Sequence, residues 1–304
     1  MTAFEKWITE RFGGPNARSG LTRYTEALIE SLGIVSPPVA LTKIAENLGL
    51  DPRPKYRKML NPGSLQLVNG KLKMFLEGVA PKVGTPRHRR MRFTYAHELA
   101  HCLFFDLSSM PNRRLAPIGA EKTEETLCNI VASHMLLPNS LVKKYISESQ
   151  EPSIALAKTL ADAFHVSIMA TSIAFERFFC NTPLNKVYIL SQFERGKNGF
   201  GIKKPRCVVC LVPQVLQNAR IQFLRPFQSI DHINSRNRLT GKREVAWSLH
   251  GLYQSNHFCG TPIELECEES LLLGPKCDIQ AEAHSRHVVL GKGRYIWSEI
   301  DLHI

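Results

Sequence analysis

Apolar positions recur at helical spacing as far as Phe179 and then give way to short alternating runs. Residues 3–12, AFEKWITERF, predict a short amphipathic helix ended by Gly13, Gly14 and Pro15. In TRYTEALIESLGI, residues 22–34, Leu28, Ile29 and Leu32 share a face and Gly33 stops the helix. VALTKIAENLGL, residues 39–50, follows Pro37 and Pro38 and turns Leu41, Ile44, Ala45 and Leu48 inward. RPKYRK, residues 53–58, reads as a basic loop. In SLQLVNGKLKMFLEG two alternating runs flank Asn69-Gly70, a pair suited to the positive φ of a tight hairpin turn. A second basic loop, TPRHRRMR at 85–92, leads into an apolar helix containing AHELAH. Residues 108–120 form a loop, and EKTEETLCNIVASHMLLP forms a helix whose acidic first turn suits the helix dipole. A helix over 140–148 follows, then two helices in 153–179 that meet near Val166-Ser167.

Beyond Phe179 the runs KVYILSQF, CVVCLV, PIELEC, DIQAEAH, RHVVL and RYIWSEIDL read as strands of a mainly antiparallel sheet. The boundary falls near CNTPLN, residues 180–185. The expectation is an α+β protein: a mainly helical domain with a small β-hairpin over 1–180, and an antiparallel-sheet α+β domain over 185–304. A chain of 304 residues can support two such cores. No apolar run approaches the roughly 20 residues of a membrane span, and charges interrupt the first residues at once. A cytoplasmic protein without membrane contact is therefore expected, its eight cysteines reduced. The net charge of +12 favours a polyanionic partner.

The chemistry concentrates in His97, Glu98 and His101, an H-E-x-x-H motif. Residues four apart lie one turn apart on a helix, so both imidazoles can reach one metal. Glu98 is rotated from them by about 100°, which leaves it free to act as general base. Such a site needs a third protein ligand and an open position. Candidates lie on the next strong helix. Glu125 is the preferred ligand and Glu124 its rival, while Asn129, four residues past Glu125, is placed to orient a ligand imidazole. His134 is turned about 180° from Glu125 and reads as a core or surface histidine. Zinc is the expected metal, with Mn2+ the alternative for a two-His, one-carboxylate set.

RRMRFTYAHELAH followed by EETLCNIVASHMLLP resembles the ImmA/IrrE family of metallopeptidases, and the resemblance extends over roughly residues 22–179. It implies a gluzincin-like zinc endopeptidase with His97, His101 and Glu125 as ligands and Glu98 as base. Cys128 stands where the family usually has alanine. It is either a small buried side chain or a thiolate able to restrain the zinc. The resemblance also implies a bacterial or phage regulator that cleaves a helix-turn-helix repressor, often after DNA damage, with a GAF-like sensor as its C-terminal domain. The basic charge fits a version responsive to single-stranded DNA, as in anti-phage defence.

Candidate phosphate contacts are Arg89 and Arg90 beside the motif, and Lys197, Lys203, Lys204, Arg206, Arg236, Arg238, Lys242 and Arg243 in the C-terminal half. Cys207 and Cys210 form C-V-V-C, but within a strand such positions alternate faces, so core cysteines are expected. The rival function reads LADAFHVSIMATSIAFERF as a helix-turn-helix. The protein would then be a non-catalytic DNA-binding regulator that retains a metal-binding peptidase fold. The segment is apolar for a recognition helix, which disfavours that reading.

Overall fold

The computed structural model describes residues 1–117, 121–146, 150–179, 186–195, 202–211, 264–272, 278–290 and 293–303. The chain divides into two compact units, one formed by Met1–Ser147 with Lys158–Thr171, the other by Glu148–Ala157 with Ser172–Ile304.

The first unit opens with α1 (Ala3–Phe12), where Thr2 and Glu5 form a capping box. α2 (Ala17–Ser31) starts five residues before the expected helix, because the Asn16 side chain accepts from Ser19 N at 2.9 Å. α3 (Leu41–Asn47) is shorter than expected but buries Leu41, Ile44 and Ala45. The hairpin forms as expected: β2 (Gly63–Val68) pairs antiparallel with β3 (Lys71–Glu77), and Asn69 and Gly70 take φ of 52° and 76° at the turn. The basic segment 53–58 is not a loop. Its centre is β1 (Lys55–Arg57), a parallel neighbour of β3, with the Arg57 guanidinium 3.9 Å from the centroid of the Phe75 ring.

TPRHRRMR is likewise not a loop. It makes the cap and first turns of α4 (Pro86–Cys102), with the Thr85 side chain accepting from His88 N and Pro86 in the first turn. The Thr-Pro start signal was masked by a charge density that the dipole disfavours. Arg89 offsets that by bridging to Asp162 at 2.6 Å and donating to Val166 O. β4 (Phe105–Asp106), just before the expected loop, pairs antiparallel with β5 (Arg113–Arg114), which lies within it. α5 (Glu121–Leu136) packs against both α4 and α2. Leu99, Ala100, Val131, Ala132 and Met135 are fully buried in this core. α6 (Asn139–Val142) is a single helical turn and gives way to turns by residue 143, and residues 147–148 of the expected helix over 140–148 lie outside the described residues. α7 (Ile154–Phe164) and α8 (Ile168–Phe178) meet at His165, φ 54°, and Val166.

The second unit contains a five-stranded antiparallel sheet of order β7-β6-β10-β9-β8. Its strands are β6 (Lys186–Arg195), β7 (Ile202–Leu211), β8 (Glu264–Leu272), β9 (Asp278–Leu290) and β10 (Gly293–His303). DIQAEAH and RHVVL are one strand, β9, paired continuously with β10. Cys207 pairs with Ser191 and Cys210 with Ile189, because a register shift absorbs one residue of β7. The simple alternation assumed for C-V-V-C is broken there. Trp297 and Tyr188 are fully buried, and Phe175 packs its ring edge-on against Trp297 at 6.5 Å. Among the described residues no single helix is long and apolar enough to cross a membrane.

Candidate metal centre

α4 and α5 bring the motif and its partners to one cleft. His97 and His101, one turn apart, converge through Nε2 at 3.1 Å. The Glu125 carboxylate closes the triangle, 3.1 Å from His97 Nε2 and 3.3 Å from His101 Nε2. The far nitrogens are both engaged: His97 Nδ1 with Asn129 Oδ1 at 3.0 Å, and His101 Nδ1 with Glu124 Oε1 at 2.9 Å. An amide oxygen and a carboxylate only accept, so each Nδ1 carries the proton and each Nε2 presents a lone pair. Two lone pairs and a carboxylate thus face one another at hydrogen-bond range with no donor between them. Only a cation, or a proton on one ring, relieves that arrangement. Metal bonds of 2.0–2.1 Å at a tetrahedral centre separate donor atoms by about 3.3 Å, which the observed triangle matches. The residues fit a metal ion.

Glu124 is therefore not a rival ligand. It holds His101 from behind and is itself held by Arg114 on β5, through Nη2 to Oε2 and through Nη1 to Oε1 at 3.3 Å. Burial raises the Glu124 pKa, but the bonds from His101 and Arg114 overcome it and bring it down to about 2. On His101, burial is outweighed by the Glu124 bond and by the charges of Glu125 and Glu98, and its pKa rises. On His97, burial and the neighbouring His101 prevail, and its pKa falls.

Glu98 lines the same cleft, a space of about 480 Å³ between α4, α5 and the start of β2. It is 8% exposed, and burial pushes its pKa up to about 7, with Glu125 adding to the rise and His101 opposing it. Its carboxylate abuts Gly63. A Cβ at Gly63 would fall 2.5 Å from Glu98 Oε1 and 2.6 Å from Thr94 Cγ2, so the strand can approach only as glycine. Sequence reasoning overlooked Gly63 and Arg114. The glycine at a strand's start was a readable signal, whereas nothing in its spacing marked Arg114.

Other candidates separate. Tyr95, beside the motif, donates its hydroxyl to Pro52 O at 2.9 Å and faces away from the cleft. Cys128 is fully buried, and burial, with the nearby carboxylates, raises its pKa. Its burial fits the reading of a small packed side chain. His134 is 6% exposed and faces Glu26 on α2, as a core histidine. Arg89 is engaged by Asp162 and Val166 O, which corrects its reading as a phosphate contact, while Arg90 is exposed. Lys203, Lys204 and Arg206 lie on β7. Lys197, Arg236, Arg238, Lys242 and Arg243 lie outside the described residues.

Residues 86–176, which carry the whole ligand set, match the family described as the IrrE N-terminal-like domain. The radiation response metalloprotease IrrE of Deinococcus deserti is 31% identical over 121 residues, 39% of this chain and 43% of that protein. The match thus spans less than half the length of this relative. A solved structure described as a Mycobacterium tuberculosis transcriptional regulator aligns over 99% of this chain and 80% of its own, at 13% identity and a TM-score of 0.45. The motif, the site geometry and the sequence similarity agree: the segment from residue 86 to residue 176 is similar to metallopeptidases of the ImmA/IrrE type.

Proposed function

We propose that the protein is a zinc-dependent endopeptidase that cleaves a helix-turn-helix repressor, with Mn2+ as the alternative metal. The observation that carries the peptidase reading is the acceptor triangle of His97, His101 and Glu125, with Glu98 beside it in an open cleft. His97, His101 and Glu125 would hold the metal. When bound, it supplies Lewis acidity and a nucleophilic water at neutral pH. Glu98, as carboxylate, accepts the proton of the attacking water and returns it to the departing amine. Asn129 and Glu124 keep both imidazoles in the tautomer that leaves Nε2 free. β2 is an edge strand of its sheet and begins at the cleft with Gly63.

The choice of substrate and signal rests on the family resemblance and on the net charge of +12. In this reading the repressor is cut in the cytoplasm, in response to DNA damage or phage infection. Single-stranded DNA is the activator, sensed through a GAF-like second unit. The name of the Deinococcus relative, a radiation response metalloprotease, fits such a role.

The test is a cleavage assay on the repressor encoded beside the gene, with and without single-stranded DNA, comparing the native chain with Glu98→Gln. Cleavage by the native chain alone, and only with DNA, supports the whole reading. Cleavage without DNA supports the peptidase but removes the activator. Binding of metal and DNA by both proteins without cleavage replaces it with the non-catalytic regulator.

A further inference from the structure

A second cavity lies behind the motif helix. His88, Arg92 and Tyr95 line it from α4, on the face roughly 120–180° around the helix from His97 and His101. Its volume is about 330 Å³, within the usual span of small-molecule sites. Leu41, Leu76, Pro81 and Val83 supply apolar wall, and Tyr56 adds an aromatic surface. All of these residues belong to the first unit.

Asp51 and Glu46 act on the Tyr95 wall of this cavity, but the charge balance around Arg92 is one-sided. Arg92 Nη2 donates to Val39 O at 2.8 Å, and Arg92 Nε is buried without a partner. No carboxylate among the described residues pairs with the guanidinium. Its titratable neighbours are two histidines: His88, whose pKa burial lowers and Arg92 lowers further, and His165, lowered in the same way with Asp162, the partner of Arg89, opposing. Burial brings Arg92 down to about 10, so it stays charged at neutral pH. Arg92 is half-buried, and withdrawing a cation from water is costly unless it is paired. The neighbouring Arg89 has a carboxylate, Asp162, and Arg92 has none.

We propose that this cavity is a binding site for a small organic anion, a carboxylate on a flat apolar body, held by Arg92. The guanidinium fork suits a carboxylate, and the walls suit a ring. The site is separate from the metal cleft and stands whether or not the protein is a peptidase. Because α4 forms a wall of both, an occupant is placed to bias the position of the metal ligands.

The test uses the full chain stripped of metal with a chelator, so that a carboxylate cannot bind at the metal. Methyl-labelled protein is titrated with benzoate and, separately, with the neutral isostere benzamide. Saturable shifts at Leu41, Leu76 and Val83 are expected with benzoate, and at least tenfold weaker binding with benzamide. Arg92→Met should reduce benzoate affinity to the level of benzamide, and Arg92→Lys should retain part of it. Equal affinities for the two probes would reduce the cavity to an apolar hole and overturn the proposal. So would shifts confined to other methyls, or unchanged benzoate binding by Arg92→Met. Should Arg92→Met fail to fold, the benzoate and benzamide pair on the native chain decides the matter alone.

Discussion

The two faces of α4 carry opposite imbalances. Toward the cleft, two imidazole lone pairs and a carboxylate meet with no donor between them. Toward the second cavity, a half-buried guanidinium has one carbonyl, a buried Nε without a partner, and no anion. Three charged groups elsewhere in the unit are matched, although the amide Asn139 Oδ1 also lacks a partner: Arg89 has Asp162, Arg114 has Glu124, and Glu26 has donors from α5 and α6. Unmatched buried polar groups are uncommon in folded proteins. Where two occur on one helix, with a cleft or cavity beside each, the economical explanation is a missing ligand. The signs of the imbalances name the ligands: a cation on one side, an anion on the other.

The strongest way to break the comparison is through the cleft. Glu98→Gln keeps the shape and removes the proton acceptor. Peptide hydrolysis should fall by about 10²–10⁴-fold, with metal content unchanged by elemental analysis. Metal loss in this variant would place Glu98 among the ligands and undo the distinction between base and ligand. Glu125→Ala removes one corner of the triangle. Metal should then be lost on dialysis, and the native chain's stabilisation by added zinc in thermal melts should vanish.

The positioning residues give smaller effects. Glu124→Gln keeps an acceptor for His101 but loses the charge that Arg114 grips. Metal affinity should weaken about 10–100-fold, the range seen when groups behind a metal ligand are changed. An unchanged affinity would mean that His101 needs no support from behind. Gly63→Ala forces β2 away from Glu98 and Thr94. The cleavage rate should drop while metal affinity holds, because no ligand touches Gly63.

Legibility in the sequence follows the range of the interaction. His97, Glu98 and His101 were readable because one helical turn brings them together, and so was the Glu125–Asn129 pair on α5. The hairpin turn was readable from Asn69-Gly70. The role of Glu124 was not. Adjacent glutamates on a helix differ by about 100°, and only the packing of α5 on α4, with Arg114 arriving from β5, decides which one faces the cleft. The first turns of α4 were hidden by charge that a tertiary pair with Asp162 offsets. β1 was hidden because a three-residue edge strand takes its hydrogen bonds from β3, which its own composition cannot announce. Arg92 lies within the segment that carries the family resemblance, but its lack of an anionic partner belongs to the folded environment alone.

Glu26 supplies the control for the comparison, as a half-buried carboxylate that lacks nothing. It accepts from Asn139 N at 2.8 Å and from the Ser140 N and Oγ, and it faces His134 Nδ1 at 3.4 Å. Burial raises its pKa, but these partners together set it below the usual carboxylate value. A depressed folded-state pKa means that its contribution to stability is present above the unfolded value. That contribution fades as pH falls through the lower folded value. Glu26→Gln should therefore destabilise by about 1–2 kcal/mol at neutral pH. The gap to the native chain should narrow in acid, measured by urea melts across pH. Metal affinity and benzoate binding should both stay unchanged. If removing this satisfied charge shifted either ligand as much as Glu124→Gln or Arg92→Met does, the imbalances on α4 would reflect general loosening of the unit, and neither face would point to a ligand.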